Sequence, residues 1–189
     1  MFGQQQQGGG LGVGGVVNLL YVLVSGHATC VTPFVRRNFG SEALGRNGAV
    51  AMFIIVFYMA VYPRHGALLD FGGLWLLMLI LQRLKTGWLM RKGVALHSQE
   101  VGHPWLGFII PAVKQYETAC IIEFFVLLGF GIWLSNYDAA LSRLVVVSSV
   151  CLVVKSAIEQ DIVRKRLRGM RDAEIEQRAM LDRYRRGDF

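Results

Sequence analysis

Few residues in this sequence have the type and placement to do chemistry away from water, and Glu123 is the foremost. It interrupts the apolar run Cys120-Ile121-Ile122-Glu123-Phe124-Phe125-Val126-Leu127-Leu128. An ionisable group at the centre of a membrane helix costs roughly 2.5–3.5 kcal/mol on insertion scales, so it marks a structural bond or a transport site. Its candidate partners are His27, Ser148, Ser149 or a group on another subunit. A proton relay needs a second titratable group at depth, and the sequence offers His27. That histidine begins His27-x-x-Cys30, which a helix places on one face. Imidazole is a common axial ligand of haem, so His27 is the candidate cofactor-binding residue, for haem or chlorophyll.

Metal and catalytic patterns point elsewhere. His97-x-x-Glu100-x-x-His103 has ligand-type residues, but Gly102 and Pro104 interrupt the helix that would align them. No H-E-x-x-H is present, and no metal site is expected. The chain also lacks a phosphate-binding glycine loop, G-x-S-x-G, C-x-x-C and paired carboxylates on a soluble face. Its three cysteines, Cys30, Cys120 and Cys151, are too few and too far apart for a disulfide scaffold. We therefore expect no enzyme activity.

The elements that position these residues follow from composition. The 189 residues are 53% hydrophobic and 17% charged, with a net charge of +7. An average soluble domain is roughly 25% charged. The first 35 residues carry no Asp, Glu, Lys or Arg. Residues 1–155 hold 11 of the 20 basic and 6 of the 13 acidic residues, so the last 34 hold a disproportionate share. That shift divides the chain into a Gln/Gly-rich tip (1–15), a transmembrane domain (16–155) and a charged helix (156–189). A spanning helix needs about 20 apolar residues. Five stretches approach that length, at about 16–35, 48–62, 66–82, 111–134 and 139–155. The first contains Asn18, Ser25, His27, Thr29, Thr32 and Pro33, so it either spans or packs half-buried against the others. A signal peptide with Val16–Val24 as its core lacks the basic residues that should precede it.

Small residues recur at four-residue spacing in Gly8/Gly12, Gly10/Gly14 and Ser41/Gly45/Ala49, the pattern that lets membrane helices approach closely. Basic residues are absent before the first stretch and sparse in the turns at Pro63–Gly66 and Asn136–Asp138. They gather at Arg36, Arg37 and Arg46, between Arg83 and Lys114, and after Lys155. By the positive-inside rule this alternation places the C-terminus in the cytoplasm, whether four or five stretches span.

Trp88 and Trp105 lie among Lys and Arg, the composition of the headgroup level, and we expect segments 86–96 and 104–110 to lie in the interface. Arg164, Lys165, Arg166 and Arg168 follow the last stretch, where anionic lipid attracts each basic residue by about 1 kcal/mol. Ile158, Ile162, Val163, Leu167, Met170, Met180 and Leu181 recur at helical spacing, so the fifth helix is expected to continue to about Arg186. Its length would be about 70 Å at 1.5 Å per residue. Acids and bases mix along this tail, which suits a solvated helix better than a nucleic-acid-binding arm.

The expected fold is all-α: a multi-pass transmembrane bundle of four or five spans, with interfacial segments and a long cytoplasmic C-terminal helix. The expected role is a non-catalytic membrane subunit or scaffold of a larger complex, in a bacterial inner membrane. Its partners would be other membrane subunits, anionic headgroups and, in one arrangement, further copies of itself. The competing readings are a cofactor-holding subunit using His27 and a small channel or transporter using Glu123.

Overall fold

A long apolar run satisfies its backbone hydrogen bonds internally only by coiling into a helix. The computed structural model describes residues 13–37, 45–64, 66–93, 103–104 and 116–187. Five helices occupy nearly all of them: α1 (Val13–Val35), α2 (Gly45–Val61), α3 (Gly66–Arg91), α4 (Tyr116–Leu134) and α5 (Ala139–Arg186). Two short segments, β1 (Arg36–Arg37) and β2 (His103–Pro104), pair antiparallel, with Arg36 opposite Pro104 and Arg37 opposite His103. By length and composition four helices, α1, α3, α4 and α5, are able to cross a membrane. The 17-residue α2 is a shorter apolar helix.

Helix ends follow local chemistry. Pro63 lies just past α2, where a helix has to stop. Asp138 caps α5: its Oδ1 accepts hydrogen bonds from the amides of Ala140 (2.8 Å) and Leu141 (2.9 Å). Past α3 and α5 the chain turns at Gly93 (φ 75°) and Gly187 (φ 72°), left-handed positions that a side chain would disfavour. α3 differs from the sequence expectation. It does not stop at Gln82 but runs through Arg83, Lys85 and Trp88 to Arg91, so residues 86–91 continue the helix instead of forming a separate interfacial segment. Charged side chains end an apolar run, but Leu84, Lys85, Leu89, Met90 and Arg91 are all good helix formers.

α1 and α5 are the elements that both hydrophobic clusters share. One cluster gathers Cys30 of α1 with Ala51, Ile54 and Ile55 of α2, Leu68 and Trp75 of α3, and Ala140 and Leu144 of α5. Ala28 and Val31, on another side of α1, pack with Leu127 of α4 and Leu152 of α5. Two of the hydroxyls that make this stretch look polar, those of Thr29 and Thr32, are satisfied within the helix. Thr29 Oγ1 donates to Ser25 O (2.7 Å) and Thr32 Oγ1 to Ala28 O (2.6 Å). The contact with α2 is close because position 26 is glycine. A Cβ there would run into Val50 and Ile54.

Pro33 has no amide hydrogen, so it frees the carbonyl of Thr29, four residues earlier. Trp75 Nε1 donates to that carbonyl at 3.1 Å. An unpaired carbonyl at this depth would cost about 1–3 kcal/mol. The proline in α1 and the tryptophan in α3 therefore act as a pair.

The chain divides into two units, Met1–Lys155 and Ser156–Phe189. Within the second, the described residues form one unbroken helical segment whose side chains are exposed from Asp161 onward. Gly169 does not break it.

Candidate functional site: a buried ion pair

The polar centre of the molecule joins the end of α1 to α4. Tyr116, Cys120 and Glu123 recur at helical spacing on one face of α4, and Ala119, Cys120, Glu123 and Leu127 are buried. Arg36 follows the last residue of α1 and is 0% exposed, while Glu123 is 2% exposed. Arg36 Nη2 lies 3.1 Å from Glu123 Oε2, and Nε donates to Oε2 at 3.3 Å and Oε1 at 3.4 Å. Nη1 donates to the Tyr116 hydroxyl at 3.3 Å, and Nη2 also reaches Cys120 Sγ at 3.7 Å. One guanidinium thus bonds three side chains of a single helix while its backbone pairs with Pro104, which is buried. The planar, permanently charged fork of arginine suits this task, because it engages both carboxylate oxygens and keeps donors for neighbours.

The pair answers the question that Glu123 poses, with a residue read from sequence as a loop charge. The other candidates are engaged elsewhere or make no bond. His27 Nδ1 donates to Leu23 O at 3.1 Å, and its ring meets Tyr58 edge-on at a centroid distance of 6.4 Å. Ser149 Oγ donates to Val146 O at 2.7 Å, and Ser148 Oγ makes no hydrogen bond among the described residues. The signal that would have found Arg36 was present: a basic residue directly after one apolar stretch and an acid inside another. Reading Arg36 only as a topology charge hid it.

The arrangement is tightly closed. Its donors and acceptors face one another, which suits holding helices in register. A buried ion pair gains little net stability over matched apolar packing, yet losing one partner leaves a charge stranded. Among the described residues no group of three or more His, Cys, Asp and Glu is placed to hold a metal. His97 and Glu100 lie outside the described residues.

The headgroup candidates divide similarly. Trp88 is 57% exposed on α3, and Lys92 Nζ sits 3.6 Å from the centre of its ring, a cation–π contact. Arg164, Lys165, Arg166 and Arg168 are exposed on α5. Lys165 pairs with Asp161 at 2.7 Å, and the hydrogen bond from Lys165, aided by Arg168 and Arg164, holds the Asp161 carboxyl below its ordinary range. Arg178 bonds Glu174 at 2.6 Å in the same i, i+4 manner. Trp105, the Gln/Gly tip at 1–12 and Ser41 fall outside the described residues. Among the described glycines, helices approach closely at Gly26, Gly72 and Gly131, where an added Cβ would meet Val50, Met59 and Val146 respectively.

Comparison of the chain with protein-family models, curated proteins and solved structures finds no match.

Proposed function

We propose that the chain is a non-catalytic integral membrane subunit, or scaffold, of a larger bacterial membrane complex. It packs against other membrane subunits and presents the charged half of α5 to a cytoplasmic partner. The observation that carries this reading is the surface of that half. Ile162, Val163, Leu167, Met170, Leu181 and Tyr184 are each at least 41% exposed in a helix rich in charge. An isolated helix in water gains little from propensity alone, and amphipathic packing is what ordinarily stabilises it. Exposed apolar residues at helical spacing are what a partner helix covers.

Two further features support the reading. Glu123 is engaged by Arg36 within the chain, which favours a structural role for it over a transport site. Lys and Arg alternate between connections in a way that favours a cytoplasmic C-terminus, in a bacterial inner membrane. The cluster Arg164–Arg168 lies where anionic headgroups would meet it.

Native mass spectrometry of protein extracted in mild detergent tests the proposal. A mass well above 21.1 kDa, with other polypeptides in fixed ratio, is the expected result. A stable monomer free of partners refutes it.

A further inference from the structure

The outward face of α3 is unlike the other apolar faces. Gly66, Asp70, Gly73, Leu77, Ile80 and Leu84 follow one another at steps of four and three, and all are exposed. Gly87 continues the row. That spacing is the seam of a left-handed helix pair. A Cβ built at Gly66, Gly73 or Gly87 meets nothing within 4 Å, so the row is an open groove in which another backbone can approach closely. The opposite face carries the buried Leu68, Gly72, Trp75 and Thr86. Only 17% of the apolar stretch of α3 is buried, the smallest share among the four long apolar helices.

Asp70 decides what kind of helix fits. Its carboxylate has no hydrogen bond or ion pair among the described residues. Asp70 and Arg83 are 13 residues apart in one helix, about 20 Å at 1.5 Å per residue. The hydrocarbon core is about 30 Å thick. Both charges therefore cannot lie outside it. Arginine's long stem lets its head reach the interface, whereas aspartate has almost no such reach. Asp70, four residues past the start of α3, is the charge that its own short side chain cannot lift to the interface, on a face that nothing in the described chain covers.

We infer that this face docks a transmembrane helix of a different subunit, one that carries Lys or Arg level with Asp70. The inference rests on the subunit reading above. A second copy of this chain, inserted in the same orientation, would set Asp70 against Asp70 in a low-dielectric seam, which like charges disfavour. A basic residue supplies the missing charge, and the glycines allow the approach that brings it within bonding distance.

The test uses the full chain in native membranes, with a photoreactive amino acid at Gly73 and a control at Phe53, an α2 residue that is 72% exposed. The expected result at Gly73 is an adduct with one other polypeptide, mapped to a membrane helix with Lys or Arg within one turn. Its yield falls at least tenfold in Asp70→Leu, while Phe53 yields lipid adducts in both backgrounds. Gly73→Ile, with the photoreactive group moved to Leu77, blocks the same adduct by filling the groove. Lipid adducts alone at Gly73, an adduct to a second copy, or a yield insensitive to Asp70→Leu overturns the inference. A heavy native complex with lipid-only adducts overturns the docking surface and leaves the subunit reading standing; a monomer refutes both.

Discussion

Glu123→Leu removes the carboxylate that Arg36 approaches at 3.1, 3.3 and 3.4 Å. The guanidinium then remains fully buried, with only the Tyr116 hydroxyl and Cys120 Sγ from this constellation. Breaking a buried pair in this way costs about 3–5 kcal/mol, because the surviving charge loses its counter-ion without regaining water. Arg36→Met should cost a similar amount by stranding the carboxylate. Replacing both residues is different, since matched apolar side chains in place of a buried pair are neutral or stabilising. If the two single effects simply added, the double variant would lose about 6–10 kcal/mol, comparable with the whole stability of an ordinary domain. The expected loss for Arg36→Met/Glu123→Leu is below about 2 kcal/mol, on the same physical ground. Reversible unfolding in mixed micelles, followed by far-UV circular dichroism, measures all four proteins. Single losses under about 1 kcal/mol, or a double loss equal to their sum, would refute the view that this pair closes the polar centre.

Further expectations come from individual contacts. Gly26→Val pushes a branched side chain into Val50 and Ile54 of α2, so the detergent melting temperature should fall, with a loss of about 1–3 kcal/mol. Trp75→Phe keeps the ring but strands the Thr29 carbonyl, costing about 1–3 kcal/mol. Pro33→Ala in the same background restores an amide for that carbonyl, so it should recover part of the loss in the same unfolding assay. Asp138→Ala uncaps α5 and should cost about 1 kcal/mol, whereas Asp138→Asn should be nearly silent. The lowered pKa of Asp161 means that its pairing with Lys165 contributes fully above the ordinary aspartate range and persists below it. The contribution is lost as pH falls through the lowered midpoint. A carboxyl NMR titration should find that midpoint low and see it rise in Lys165→Gln.

The amino-acid sequence by itself determined what depends on local length, spacing and charge. Long apolar runs specify helices, Pro63 and Asp138 place two of the boundaries, and the periodic tail continues past Lys155 to Arg186. These features involve residues a few positions apart, and their physics is legible in one dimension. The end of α3 was less legible, because Arg83 and Lys85 interrupt hydrophobicity without interrupting helix propensity. Only the tertiary structure decided which polar groups meet. Arg36 and Glu123 are 87 positions apart, and Trp75 lies 46 positions from the carbonyl that Pro33 releases. Nothing in their neighbourhoods names the partner, since in an apolar interior a buried polar group bonds to whichever counterpart packing brings within reach. The same reason made a loop arginine into the centre of the molecule. It also left Asp70, on the outward face of α3, as the charge whose counterpart the described chain does not supply.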